Sequence, residues 1–194
     1  ADPRTWFYLA KNATLVFGFA DGLPGVFAGL PMPRAINGSL WTLPTEVRLY
    51  LVLALMFGAL RLVAGRRADA WMRLAIAVVA LTLFLRLCLQ GVAASQDSRF
   101  ATLFFGGALL QVGPPALRPS APGAAVLVAA CIAAAQVGGD TFLVVFTLAI
   151  VHLVIHLSLM PSRVLAACRP ANDYSYGLYI YGFPVQQTIL SLAP

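Results

Sequence analysis

The chain has 194 residues, of which 60% are hydrophobic and only 10% charged, and a formal net charge of +6. Soluble domains carry about 25% charged residues and roughly 45 to 50% apolar ones, so the composition argues against a water-soluble globule. It argues equally against disorder, because a chain this apolar cannot stay solvated. Twelve of the 13 basic residues are Arg, scattered singly or in pairs among apolar runs. No basic stripe tracks phosphates, and nucleic acid is not an expected partner.

What remains is an all-α integral membrane protein, a multi-helix bundle of about six transmembrane helices. About 20 mostly apolar residues are needed to cross a hydrocarbon core. In chain order, Trp6 to Ala20 is a weak candidate, short and interrupted by Lys11 and Asn12. The segment Asp21 to Leu43, rich in Gly and Pro, reads as an external or re-entrant loop. Spans then follow at Val47 to Ala64, Trp71 to Val92, Phe100 to Leu117, Gly123 to Val137, Thr141 to Met160, and Tyr174 to about Leu192. The linkers between them hold turn formers or charges. If the helix starting near Glu46 runs from outside to inside, the inner flanks hold Arg61, Arg66, Arg67, Arg73, Arg118, Arg163 and Arg169, and the outer ones Arg34, Arg48 and Arg99. That asymmetry obeys the positive-inside rule. Cys88, Cys131 and Cys168 are far apart and form no C-x-x-C pair, so neither a disulfide framework nor a zinc site is expected.

Four features carry potential chemistry. The first is Asn37 to Tyr50 (NGSLWTLPTEVRLY), where Pro44 suits a first helical turn and Glu46, the one Glu in the chain, complements the positive end of the helix dipole. A capped helix entering the membrane explains this stretch as readily as a site does. The second is Asp173 to Gln187 (DYSYGLYIYGFPVQQ), with four Tyr between Tyr174 and Tyr181; it suits an interfacial aromatic belt or the lining of a polar cavity. The third is the pair His152 and His156, which share a helix face at i,i+4. Without a Glu after His152 or an evident third ligand, packing or hydrogen-bonding histidines outweigh a metal role. The fourth is Arg86, a few residues past the middle of its apolar run. It either snorkels to the interface or faces an anion such as a donor phosphate.

The first two stretches together, with the weaker FFGGALL (Phe104 to Leu110) between them, resemble the acyltransferase 3 family of multi-span membrane O-acyltransferases. Trp41, Thr42 and Glu46 match the family's Trp-Thr-Leu-x-x-Glu pattern, and Ser175, Tyr176, Gly177 and Tyr179 its Ser-Tyr-Gly-x-Tyr pattern. The resemblance implies transfer of an acyl group, often acetyl, from acyl-CoA to a hydroxyl of a cell-envelope or secreted carbohydrate. It implies no bound cofactor beyond that donor, with acyl-CoA, a carbohydrate or lipid-linked glycan acceptor, and membrane lipids as partners. Residues 1–194 would be the C-terminal part of one such domain, with Glu46 catalytic and Asn37, Ser39, Trp41, Thr42, Arg48, Arg86, Tyr176 and Tyr179 binding substrate. Glu46 and Tyr176 are expected to face a shared inward cavity. Two departures matter. Gly182 stands where many members carry a His before the Phe-Pro, and the family's His of the first span has no counterpart here, so the fragment alone is expected to be inactive. The preference for Arg over Lys, with abundant Ala, suggests a GC-rich bacterial genome and a multi-pass inner-membrane location. The competing reading is a transporter or flippase-like protein for a glycolipid or polysaccharide precursor; a purely structural membrane subunit is a third.

Overall fold

A computed structural model describes residues 2–23, 25–160 and 174–192 of the chain. Among them there is no strand, only an isolated antiparallel bridge between Gly22 and Ala35. The described residues form seven α-helices: α1 (Pro3–Thr14), α2 (Leu43–Ala64), α3 (Ala68–Gln90), α4 (Gln96–Val112), α5 (Ala121–Val137), α6 (Gly139–Leu159) and α7 (Ser175–Leu192). A 3-10 turn, Gly38–Thr42, leads into α2. Each of the six long apolar runs is helical. Two helical stretches, Gly38–Ala93 and Gly139–Leu159, are long and apolar enough to cross a membrane, and Ala121–Val137 is a shorter apolar helix. The first stretch contains both α2 and α3, joined by a turn at Gly65–Arg67.

The weak candidate at Trp6 to Ala20 is corrected. Its helix, α1, stops at Thr14, and Leu15 turns left-handed at φ 54°. Asn12 then seals the end, donating its amide to the Ala20 carbonyl at 2.9 Å and accepting from the Ala20 N–H at 2.8 Å. Twelve residues rise only about 18 Å, short of a bilayer core. At the other end Asp2 caps the helix, its carboxylate accepting from Arg4 N–H at 2.9 Å. That backbone bond, with smaller help from the Arg4 side chain, holds the exposed Asp2 carboxyl below its ordinary value. A lowered folded-state value means the contribution to α1 is full above the ordinary carboxylate range and is lost as pH falls through the lowered one. Amide shifts of Thr5 to Tyr8 should therefore report fraying in acid in the wild type; Asp2→Asn should remove that acid-dependent step. An unchanged step in the variant would assign it to another group.

The chain divides into two compact units, residues 1–51 with 163–194, and residues 52–162. In the second, α5 packs on α6, α3 on α4, and α4 on α6. Its buried positions are mostly small: Ala68, Ala80, Ala94, Ala124, Ala134 and Ala149, beside Ile76, Leu87 and Phe105. Large apolar side chains point outward instead, Leu62, Val63 and Leu89 being almost fully exposed. Small residues inside and large ones outside is the distribution that close helix packing in lipid favours, and in water such an apolar surface would aggregate. The buried hydroxyls of Thr102 and Thr147 return their protons to the carbonyls of Ser98 and Leu143, each at 2.8 Å, so neither is left unpaired.

Where α3 ends, Gly91 turns the chain at φ 52°. The carboxylate of Asp140, at the start of α6, accepts from Val92 N–H at 2.7 Å, while Arg99 of α4 donates to the Val92 carbonyl. The two backbone groups of one residue, Val92, thus tie three helix ends together. At the opposite end of α3, Arg61 pairs with Asp69 at 2.9 Å across the α2–α3 turn; both are exposed, and such pairs contribute little.

Candidate functional site

The two motifs that carry the family resemblance meet within the first unit, where the Gly38–Thr42 turn packs on α7. The junction follows from a defect in α7. Pro184 lies inside that helix and has no N–H, so the carbonyl of Ile180, one turn earlier, loses its helical partner. Asn37 supplies the missing donor, its Nδ2 reaching the Ile180 carbonyl at 2.7 Å. The same side chain caps the 3-10 turn, its Oδ1 accepting from Ser39 N–H at 3.1 Å. Asn37 is buried, and its amide is satisfied at both ends.

Two further bonds lock the junction. Gln187, 3% exposed, donates through Nε2 to the carbonyls of Met32 and Ala35, each at 3.0 Å. Tyr179 donates its hydroxyl to the Ser39 carbonyl, so the 2.8 Å contact between Thr42 Oγ1 and Tyr179 Oη must have Thr42 as donor. Gly38 is needed here, because a Cβ would lie 2.9 Å from the Phe183 ring. The polar groups of Asn37, Thr42 and Tyr179, and the backbone of Ser39, are thereby committed to one another. Their first role in the structure is positional.

The other expected site residues fall outside this lock. Arg48 folds back on the first turn of its own helix, donating to the Pro44 carbonyl at 3.0 Å and to Thr45 Oγ1 at 3.3 Å. Trp41 is partly exposed. The expectation that Glu46 and Tyr176 face inward on a shared cavity is corrected: both are exposed, Tyr176 at 63%, and neither lines either of the two cavities described here. The Gly38–Thr42 turn packs on α7 around Tyr179, Phe183 and Gln187, and among the described residues no element covers Tyr176 near the start of that helix. Gly182, at the place of the family's His, is also exposed. Asp173, the first residue of the second motif, lies outside the described residues, as do Arg163, Arg169 and Cys168.

Arg86 and the histidines belong to the second unit. Arg86 is exposed on α3 and donates Nε to Gln90 Oε1 at 3.3 Å, one turn toward the helix end. Its side chain therefore takes the direction that snorkelling requires. His152 lines an apolar cavity of about 320 Å³ with Phe84, Gly106, Leu109, Leu127 and Val151. Its Nε2 lies 3.2 Å from the Ser120 N–H and 3.1 Å from the Ser120 carbonyl, so it accepts from one or donates to the other according to tautomer. Either bond pins α6 to the start of α5. His156 sits 6.4 Å from it, ring centre to ring centre. Among the described residues no three His, Cys, Asp or Glu side chains group as metal ligands would, and Cys88 and Cys131 are free thiols.

Sequence reasoning missed Gln187 as an anchor; the signal was a Gln at membrane depth beside Pro184, which needs a buried partner. No protein-family model, curated protein or solved structure matches the chain.

Proposed function

We propose that the chain is part of a multi-pass O-acyltransferase of the bacterial inner membrane, moving an acyl group from acyl-CoA to a hydroxyl of an envelope or secreted carbohydrate. One observation carries the reading. The two motifs that resemble the acyltransferase 3 family, 137 residues apart at Thr42 and Tyr179, are hydrogen-bonded to each other. Motifs that serve one site should meet, and these do so through their own signature residues. The outward apolar surface of the helices supports the membrane setting.

In this reading the acceptor hydroxyl oxygen attacks the thioester carbonyl, the C–S bond breaks, and the hydroxyl proton passes to a base while the thiolate leaves. The locked junction acts as a platform that holds α2 and α7 at fixed spacing and presents Glu46 with Trp41 on its open side. Glu46, bound by no described residue, is available to orient an imidazole base or to accept from sugar hydroxyls. Arg48, held against Pro44 and Thr45, sets the geometry of the turn that carries Glu46. His152 is spent on Ser120 and is not assigned as the base, and the isolated chain is expected to turn over no substrate.

The test is transfer of radiolabelled acetyl from acetyl-CoA by membranes containing the protein from its complete reading frame. Label on an envelope saccharide, lost when the gene is deleted, is the expected result. Saccharide translocation that proceeds without any acyl donor would overturn the reading in favour of transport.

A further inference from the structure

The second cavity, about 340 Å³, lies within the first unit between the start of α1 and the loop closed by the Gly22–Ala35 bridge. Arg4, Phe7, Tyr8, Asp21, Pro33 and Arg34 line it. Its size falls at the lower end of small-molecule sites, which start at roughly 300 Å³. Arg34 is held there in an unusual conformation, with φ at 66°. The loop imposes it: Arg34 donates its N–H to the Phe27 carbonyl at 3.2 Å and its carbonyl accepts from Leu23 N–H at 3.1 Å. A left-handed backbone is strained at a non-glycine residue, and strain of this kind concentrates where a side chain must be presented. Among the described residues the Arg34 guanidinium, the Asp21 carboxylate and the Tyr8 hydroxyl make no hydrogen bond, whereas Arg4 is engaged with Asp2.

We propose that this cavity binds one acidic sugar unit, a hexopyranose bearing a carboxylate. Arg34 offers the planar fork that a carboxylate accepts, Asp21 accepts from ring hydroxyls, and Phe7 and Tyr8 provide apolar surface for the sugar's C–H face. With Arg4 paired to Asp2, Arg34 is the cation left for the ligand's single carboxylate, and Asp21 would repel the greater charge of a phosphate dianion. The site deepens the acyltransferase reading by supplying an acceptor subsite, yet its binding is measurable without any acyl donor.

The experiment titrates the full chain, in nanodiscs of uncharged lipid, with methyl β-glucuronide and methyl β-glucoside by saturation-transfer NMR. The glucuronide should bind about tenfold tighter, the yield of one charge-assisted bond. Arg34→Gly should abolish that preference while leaving the melting temperature no lower, because glycine relieves the positive φ. Asp21→Asn should weaken both glycosides. Equal or absent binding of the two glycosides to the wild type, or an intact preference in Arg34→Gly, would overturn the proposal. Binding with the stated preference, together with no acyl transfer by the protein from its complete reading frame, would leave this subsite standing and remove the acyltransferase reading; transfer by that protein without the preference would do the reverse.

Discussion

Gly91→Ala is expected to destabilise the second unit by about 2 to 3 kcal/mol, summing backbone strain and the loss of a charge-assisted hydrogen bond. The added Cβ would sit 2.0 Å from Asp140 Cγ and Oδ1, a distance real Cβ contacts do not reach, on a residue with φ of 52°. The carboxylate cannot simply rotate away, because it holds Val92 N–H at 2.7 Å. Moving it frees that N–H and loosens the peptide whose carbonyl Arg99 also grips. The midpoint of unfolding in a dodecyl sulfate titration measures the effect. Asp140→Asn should cost less, since its side-chain oxygen can still accept from Val92, and it serves as the comparison. A Gly91→Ala midpoint equal to that of the wild type would show that the three helix ends are not joined as described.

Asn37→Ala is expected to cost about 2 kcal/mol, because it strips the Ile180 carbonyl of its donor and the Gly38 turn of its cap. Pro184→Ala restores an N–H at position 184, which can close the ordinary helical bond to Ile180. In that background, loss of Asn37 should cost only the cap, about 1 kcal/mol. The double-mutant cycle should therefore show a coupling of about 1 kcal/mol between residues 37 and 184. Strict additivity would mean that Asn37 does not stand in for the missing N–H.

These two sites show how far the sequence could be read. Apolar runs long enough to be helices announce themselves, and α2 to α7 lie where those runs lie. Ends are harder: α1 stops at Thr14 because Asn12 turns back to Ala20, a bond between positions eight apart that has no periodic signature. Pro184 declared that a carbonyl would be orphaned, but nothing local named Asn37, 143 residues away, as its donor. For the candidate site, residue identity was legible while direction was not. Asn37, Thr42 and Tyr179 read as substrate-binding residues, but Asn37 bonds Ile180 and Ser39, and Thr42 and Tyr179 bond each other. Glu46 and Tyr176 were placed inward and are exposed. Which face of a uniformly apolar helix turns inward cannot be read from its periodicity, since α2 has apolar residues all round. The strained Arg34 was equally invisible, because only the closed loop imposes its φ.

The measurement that bears most directly on the function is acyl transfer by the protein from its complete reading frame with Glu46 replaced. Glu46→Gln keeps size and hydrogen-bonding capacity but removes the carboxylate, at an exposed position in the first turn of α2 where little packing is disturbed. The account predicts that label transferred from acetyl-CoA to saccharide falls about hundredfold or more per molecule of protein, with abundance and melting temperature unchanged. Transfer at the wild-type rate by Glu46→Gln would contradict it and take Glu46 out of the chemistry.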